Sequence, residues 1–247
     1  MTPMDSNSFT ADTFFILDFD RCIGNTDKFH TILEEVIERE TTVSKQQLAT
    51  AKIDAETRGE TFDTIRYVKK ALAETGGSMS WQPIERQFIA QAQKLNMLQP
   101  YARQLFHILE SEHIPFGILT YGNEAWQLAK LEAANILHIP HLVTGIEGKG
   151  AILTGWKKSG GFIVPPALTK DFTALHANEI VFLDDKAVSF KGIPEGVRGV
   201  RVEPADGGEL LPIQKGELPL GVTNVKGIYG AIELLFPQYA DTIIDKT

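Results

Sequence analysis

Apolar residues fall along this chain in two alternating patterns. Short continuous runs bounded by turn residues predict buried strands at Phe14–Leu17, Pro115–Thr120, Ile139–Thr144, Glu179–Leu183 and Val197–Val202. Between them, apolar positions three and four apart predict helices. Residues 26–40 carry Phe29, Ile32, Leu33, Val36 and Ile37 on one face and Glu34, Glu35 and Glu38 on the other. Further helices are expected from a Ser44 cap to about Thr57, over Thr61–Glu74 up to Gly76-Gly77, and from a Ser80 cap over Trp81–Leu95. Others are expected over Pro100–Glu112, over Glu124–Asn135, from Pro165-Pro166 to about Ala177, and near Val225–Phe236. Residues 145–161, with Lys149, Lys157 and Lys158, read as a Gly- and Lys-rich loop, and most of the stretch from 204 to 224 reads as loop.

The order of these elements sets the architecture. Strands alternating with helices imply an α/β fold with a parallel, Rossmann-like sheet. The first strand is followed by a helical block of about 70 residues, far longer than an ordinary connection. Residues 1–25 and 98–247 are therefore expected to form the α/β core, and residues 26–97 a small all-helical domain set into the first crossover.

Composition narrows the function. At 247 residues, with 43% hydrophobic and 23% charged positions, the chain can bury a sizeable core. A formal net charge of −8 argues against broad nucleic-acid binding but leaves room for a phosphorylated small molecule, because local cations override the global field. The single cysteine, Cys22, excludes an internal disulfide and fits a reducing compartment. The polar start of the chain and the lack of a long apolar run lead us to expect a cytoplasmic protein, away from the membrane.

Candidate chemistry lies where strands stop. The first ends at Asp18 and Asp20, the second at Thr120, and the fourth at Asp184-Asp185. Parallel strands present their carboxyl ends along one edge of the sheet, so these groups should converge. Closely spaced, partly desolvated carboxylates require either that one stays protonated or that a cation sits between them. Oxygen-only ligation of this kind suits Mg²⁺. Where the chain bends after the strand, one of the two aspartates can contribute its backbone carbonyl instead. A hydroxyl, carboxylates and a nearby lysine form a set able to move a phosphoryl group.

On these residues the sequence resembles the haloacid dehalogenase-like (HAD) hydrolase superfamily. Phe14–Cys22 matches its first motif, a hydrophobic strand followed by Asp-x-Asp-x-Thr. Gly117-Ile118-Leu119-Thr120 matches the second, and Val181-Phe182-Leu183-Asp184-Asp185 the fourth. The third motif is a lysine roughly 25 residues before the acidic pair, a spacing met by Lys157 and Lys158, with Lys158 slightly favoured. Two positions depart from the pattern: Arg21 stands where glycine is frequent, and Cys22 where threonine is usual.

The resemblance implies a Mg²⁺-dependent phosphatase acting on a small phosphorylated metabolite, as a monomer or homodimer. Asp18 would be the nucleophile, and Asp20 the acid and base that also offers its carbonyl to Mg²⁺. Thr120 would hold the phosphoryl group, Lys157 or Lys158 would steady it, and Asp184 and Asp185 would complete the metal site. Tyr121, Gly122, Asn123 and Arg21 are further candidates for contact with substrate, and the helical insertion would be a mobile cap. A sugar-phosphate mutase, a 2-haloacid dehalogenase and a non-catalytic regulatory module are the alternatives on the same fold.

Overall fold

The computed structural model describes residues 9, 12–58, 62–74, 81–145, 148–205, 210 and 214–244. The expected caps and boundaries at Thr61, Gly76-Gly77 and Ser80 lie outside the described residues. The chain divides into two compact units, one of residues 1–25, 98–122 and 138–247, the other of residues 26–97 and 123–137. The helical unit thus takes in residues 123–137, which the sequence pattern places in the core.

Among the described residues, six parallel strands make the main sheet of the first unit. They are β1 (Thr13–Leu17), β2 (Phe116–Tyr121), β3 (His141–Thr144), β7 (Glu179–Asp184), β8 (Val197–Glu203) and β9 (Thr223–Lys226), in the order β3-β2-β1-β7-β8-β9. β1 is fully buried, as its unbroken apolar run requires of a strand covered on both faces. On one face Phe14, Ile16 and Phe182 pack with Leu153, Phe162 and Phe190. On the other, Phe15 stacks on Phe236 with ring centroids 5.6 Å apart, and Phe106 stacks on Phe116 at 6.0 Å. The register pairs Leu17 with Ile118 on one side and with Leu183 on the other, which aligns the ends of β1, β2 and β7.

Helix α5 (Ala102–Ser111) precedes β2, and α8 (Gly227–Leu235) and α9 (Pro237–Ile244) follow β9. α8 lies where a helix near Val225–Phe236 is expected, and α9 is a further helix beyond it. β9 escapes a hydrophobicity reading because its sequence, Thr-Asn-Val-Lys, is mostly polar, as befits a strand at the sheet edge.

Residues 145–177 differ most from expectation. Within the expected loop lies helix α7 (Lys149–Trp156), whose glycines at 150 and 155 lower its local propensity while buried Leu153 anchors it to the core. β4 (Lys157–Lys158), β5 (Gly161–Val164) and β6 (Leu175–Ala177) then form a small antiparallel sheet. The helix expected from Pro165 to about Ala177 is only a 3-10 turn over Pro166–Leu168. The Thr169 hydroxyl donates at 2.9 and 2.7 Å to the carbonyls of Pro166 and Thr173, and Phe172 takes a left-handed φ of 55°. Local side-chain bonding of this sort turns the backbone away from a helix.

The helical unit holds α1 (Thr26–Glu40), α2 (Lys45–Thr57), α3 (Thr64–Glu74), α4 (Trp81–Ala92) and α6 (Glu124–Ala133). Ser44 and Gln47 form a capping box at α2: the Gln47 amide donates to the Ser44 hydroxyl at 3.2 Å, and the Ser44 amide to the Gln47 side chain at 2.8 Å. Trp126 of α6 packs on Phe88 of α4 at 4.9 Å between ring centroids, which accounts for residues 123–137 joining this unit. Among the described residues no helix is long and apolar enough to cross a membrane.

Candidate active site

The site forms where β1 and β7 end side by side. Asp18 follows the last residue of β1, and its amide donates to the Leu183 carbonyl at 2.8 Å. Asp184 closes β7 and Asp185 comes next. All three aspartates are buried, and one carboxylate oxygen from each lies within 4.8 Å of the others. Among the described residues, no other set of three or more His, Cys, Asp or Glu side chains converges in this way.

The cation among them is Lys149, the first residue of α7. Its ammonium donates to Asp18 Oδ1 and, at 2.7 Å, to Asp184 Oδ2. A lysine at a helix N-terminus opposes the helix dipole, so its place there depends on the carboxylates it meets. They hold the Lys149 pKa above the ordinary lysine value despite burial, which alone would lower it.

Neither lysine expected from the spacing reaches this cluster. Lys157 and Lys158 form strand β4, joined to β5 through a turn at Ser159-Gly160. Lys157 Nζ donates to the Glu195 carbonyl at 2.8 Å and lies 4.6 Å from the centre of the Phe162 ring, while Lys158 is exposed. Of the three lysines in residues 145–161, Lys149 is the one that meets the acidic cluster. Its position, 35 residues before Asp184, falls outside the spacing window used, and its flanking glycines disguise it as loop. The apolar spacing of Ile152, Leu153 and Trp156 after it was the available signal of a helix start.

Lys149 does not neutralise the cluster. Three carboxylates face one ammonium, and burial pushes the Asp18 pKa well up, with Asp184 and Asp185 adding to the rise and Lys149 opposing it. Asp185 is pushed up to about 7, chiefly by burial and then by Asp184, against the hydrogen bond from Gln214. Asp184 Oδ1 accepts from the Lys186 amide at 2.8 Å, and Asp185 Oδ2 from the Gln214 amide group at 2.8 Å. Asp185 Oδ1 is buried with no hydrogen-bond partner among the described residues. Surplus negative charge, all-oxygen donors and a buried, unpartnered carboxylate oxygen fit a hard divalent cation such as Mg²⁺.

Thr120 lies two residues beyond the Leu17–Ile118 register position, on the same sheet edge. It is buried, and its hydroxyl too has no partner among the described residues. Asp20 is half-buried in the loop after β1, where it bridges to Gly24. In the same loop Arg21 adopts φ 62°, the left-handed conformation that glycine takes most readily, and its amide donates to the Gly24 carbonyl at 3.1 Å. That backbone explains the preference for glycine which the resemblance carries at this position. Cys22 is buried, and burial followed by the negative charge of Asp18 raises its thiol pKa, which makes it an unreactive packing residue.

Tyr121 ends β2 half-buried, with Lys186 Nζ 5.6 Å from its ring centre. The Gly122 amide donates to the Thr144 carbonyl at 3.1 Å. Asn123 belongs to the helical unit, where its side chain caps α6 by accepting from the Trp126 amide at 3.1 Å. Lys149 and Gln214 are the residues about the acidic cluster that the sequence reading left out of the site.

Comparison with known proteins bears on the fold. No family model matches the chain, and no curated protein does. Solved structures do. A protein from Burkholderia xenovorans described as a haloacid dehalogenase-like hydrolase is 18% identical, with 92% of this chain and 98% of that one covered and a TM-score of 0.59. The HAD-hydrolase YfnB of Bacillus subtilis, solved bound to magnesium, is 16% identical over 91% of this chain and 98% of its own, with a TM-score of 0.51. The likeness spans the α/β sheet together with the helices around it, and this chain has the fold of the haloacid dehalogenase-like hydrolases.

Proposed function

We propose that the protein is a Mg²⁺-dependent phosphatase that hydrolyses a small phosphorylated metabolite through an aspartyl-phosphate on Asp18. The observation that carries this reading is the buried cluster of Asp18, Asp184 and Asp185 around Lys149, with one Asp185 oxygen unpartnered among the described residues. Asp18, Asp184 and Asp185 would hold the ion, which supplies positive charge to a phosphoryl group and to the carboxylate that attacks it. The acidic pair and Asp20, which a metal-free carbon–halogen hydrolysis does not need, count against that alternative.

The chain's own groups divide the remaining work. An Asp18 oxygen attacks phosphorus as the ester oxygen leaves. Asp20 gives that oxygen a proton, then takes one from the water that hydrolyses the aspartyl-phosphate. Phosphate is released and both carboxyl groups return to their starting states. Lys149 keeps Asp18 in place and offsets charge as it spreads over the phosphoryl oxygens. The buried Thr120 hydroxyl donates to one of those oxygens.

The test is turnover of p-nitrophenyl phosphate. We expect hydrolysis with Mg²⁺, none in chelator, and none by Asp18→Asn. Turnover by Asp18→Asn at the parent rate would overturn the reading.

A further inference from the structure

Gln214 comes from the part of the chain that carries no motif, yet its side chain ends on a carboxylate of the site. Its amide nitrogen donates at 2.8 Å to Asp185 Oδ2, and both residues are buried. The two are 29 residues apart, and Gln214 lies between β8 and β9, so the contact depends on the chain at residue 214 being held beside the strand ends. Buried Arg201 of β8 fixes that placement. Its guanidinium donates at 2.7 Å to the Gln214 carbonyl and at 3.3 Å to the Asp185 carbonyl, tying the two backbones together. Glu203, 3.7 Å away, lies on its remaining side.

We propose that Gln214, stapled by Arg201, is a positioning residue that sets the Asp185 carboxylate for the metal. The amide takes up one oxygen and fixes the rotation of the group. The other oxygen, Oδ1, is the buried atom with no partner among the described residues. A neutral donor suits this task. A lysine at 214 would form an ion pair with Asp185 and compete with a cation for its charge, whereas an amide orients the carboxylate and leaves the charge in place. The loop after β8 thereby gains a definite role: it holds a metal ligand from behind.

This inference rests on the metal-dependent reading above, and calorimetric titration with Mg²⁺ in the absence of substrate separates the two. Gln214→Met keeps the volume and loses the donor. Gln214→Asn, a second variant in case the first does not fold, keeps an amide but draws it back by one methylene. Each is expected to bind Mg²⁺ about 10- to 100-fold more weakly than the parent. At saturating Mg²⁺ the KM for p-nitrophenyl phosphate should stay within about twofold and kcat should recover, a split that general loosening of the fold would not produce. Folded variants with parent Mg²⁺ affinity would overturn the positioning role and leave the phosphatase reading standing. A parent protein that takes up no Mg²⁺ would overturn both.

Discussion

Lys149 and Asp184 stand 35 residues apart in the chain and 2.7 Å apart in space, and the same ammonium also binds Asp18. One helix start thus joins the carboxylates of two neighbouring strands. Lys149→Met should lower kcat/KM for an aryl phosphate by about 100-fold or more, the usual loss on removing a charge-stabilising group. Lys157→Ala and Lys158→Ala should each stay within about twofold of the parent, as expected where the residue touches neither substrate nor transition state. Equal losses at 157 or 158 would contradict the placement of Lys149. Without metal, Lys149→Met should also unfold more easily by about 3 kcal/mol or more, since buried Asp18 and Asp184 lose the ammonium they pair with.

Gly150 explains how Lys149 is brought so close. A methyl group at 150 would stand 2.2 Å from the backbone carbonyl oxygen of Lys191, so α7 can pack there only with glycine. Gly150→Ala should cost about 1–3 kcal/mol as the helix start shifts outward. Activity should fall together with stability because the shift carries Lys149 with it. Denaturant unfolding alongside kcat would check both; an alanine variant as stable as the parent would show that the approach is relaxed at no cost.

Arg21 holds a backbone conformation that costs an L-residue about 1–2 kcal/mol. Glycine there relieves the strain but adds freedom to the unfolded chain, at about 0.5–1 kcal/mol. Arg21→Gly should therefore leave the protein as stable or up to about 1.5 kcal/mol more stable, a difference of opposite sign to that expected at Gly150. A loss beyond about 1 kcal/mol in chemical denaturation would mean that the arginine side chain contributes more than the backbone strain removes.

Asp185 gives the site a pH signature when chelator is present. Its folded pKa of about 7 lies above the unfolded value near 3.9, so below 7 the folded state binds more protons than the unfolded one. The group therefore adds stability as pH falls through 7, by up to about 1.4 kcal/mol per unit until the unfolded value is approached. Asp18, also raised, acts with the same sign. In chelator, Tm should climb as pH is lowered from about 8 to about 6; with saturating Mg²⁺ the climb should flatten, because the ion does the work of the proton. A metal-free Tm that rises with pH would refute the direction.

The site is legible in sequence as far as it is built from strand ends. Asp18, Thr120, Asp184 and Asp185 each follow an apolar run, and a parallel sheet must bring such positions to one edge. Lys149 and Gln214 arrive by packing. The first is set by a glycine against the Lys191 carbonyl, the second by the grip of Arg201 on two backbone carbonyls. Neither constraint leaves a periodic trace. β9 was missed for the opposite reason to the helix expected after Pro165. A polar edge strand shows too little hydrophobicity, whereas Leu168, Phe172 and Leu175 have helical spacing, although Phe172 is 76% exposed.

The sheet order has a consequence for how the molecule is made. β1 lies between β2 and β7, so during synthesis it waits for a neighbour that ends at Asp184, about 170 residues later in the chain. During synthesis its phenylalanines must be shielded by early, partial pairing with β2 or by a chaperone. Asp18 meets Lys149 and the Asp184-Asp185 pair only after residue 185 has left the ribosome, so the acidic cluster closes late in the synthesis of this fold.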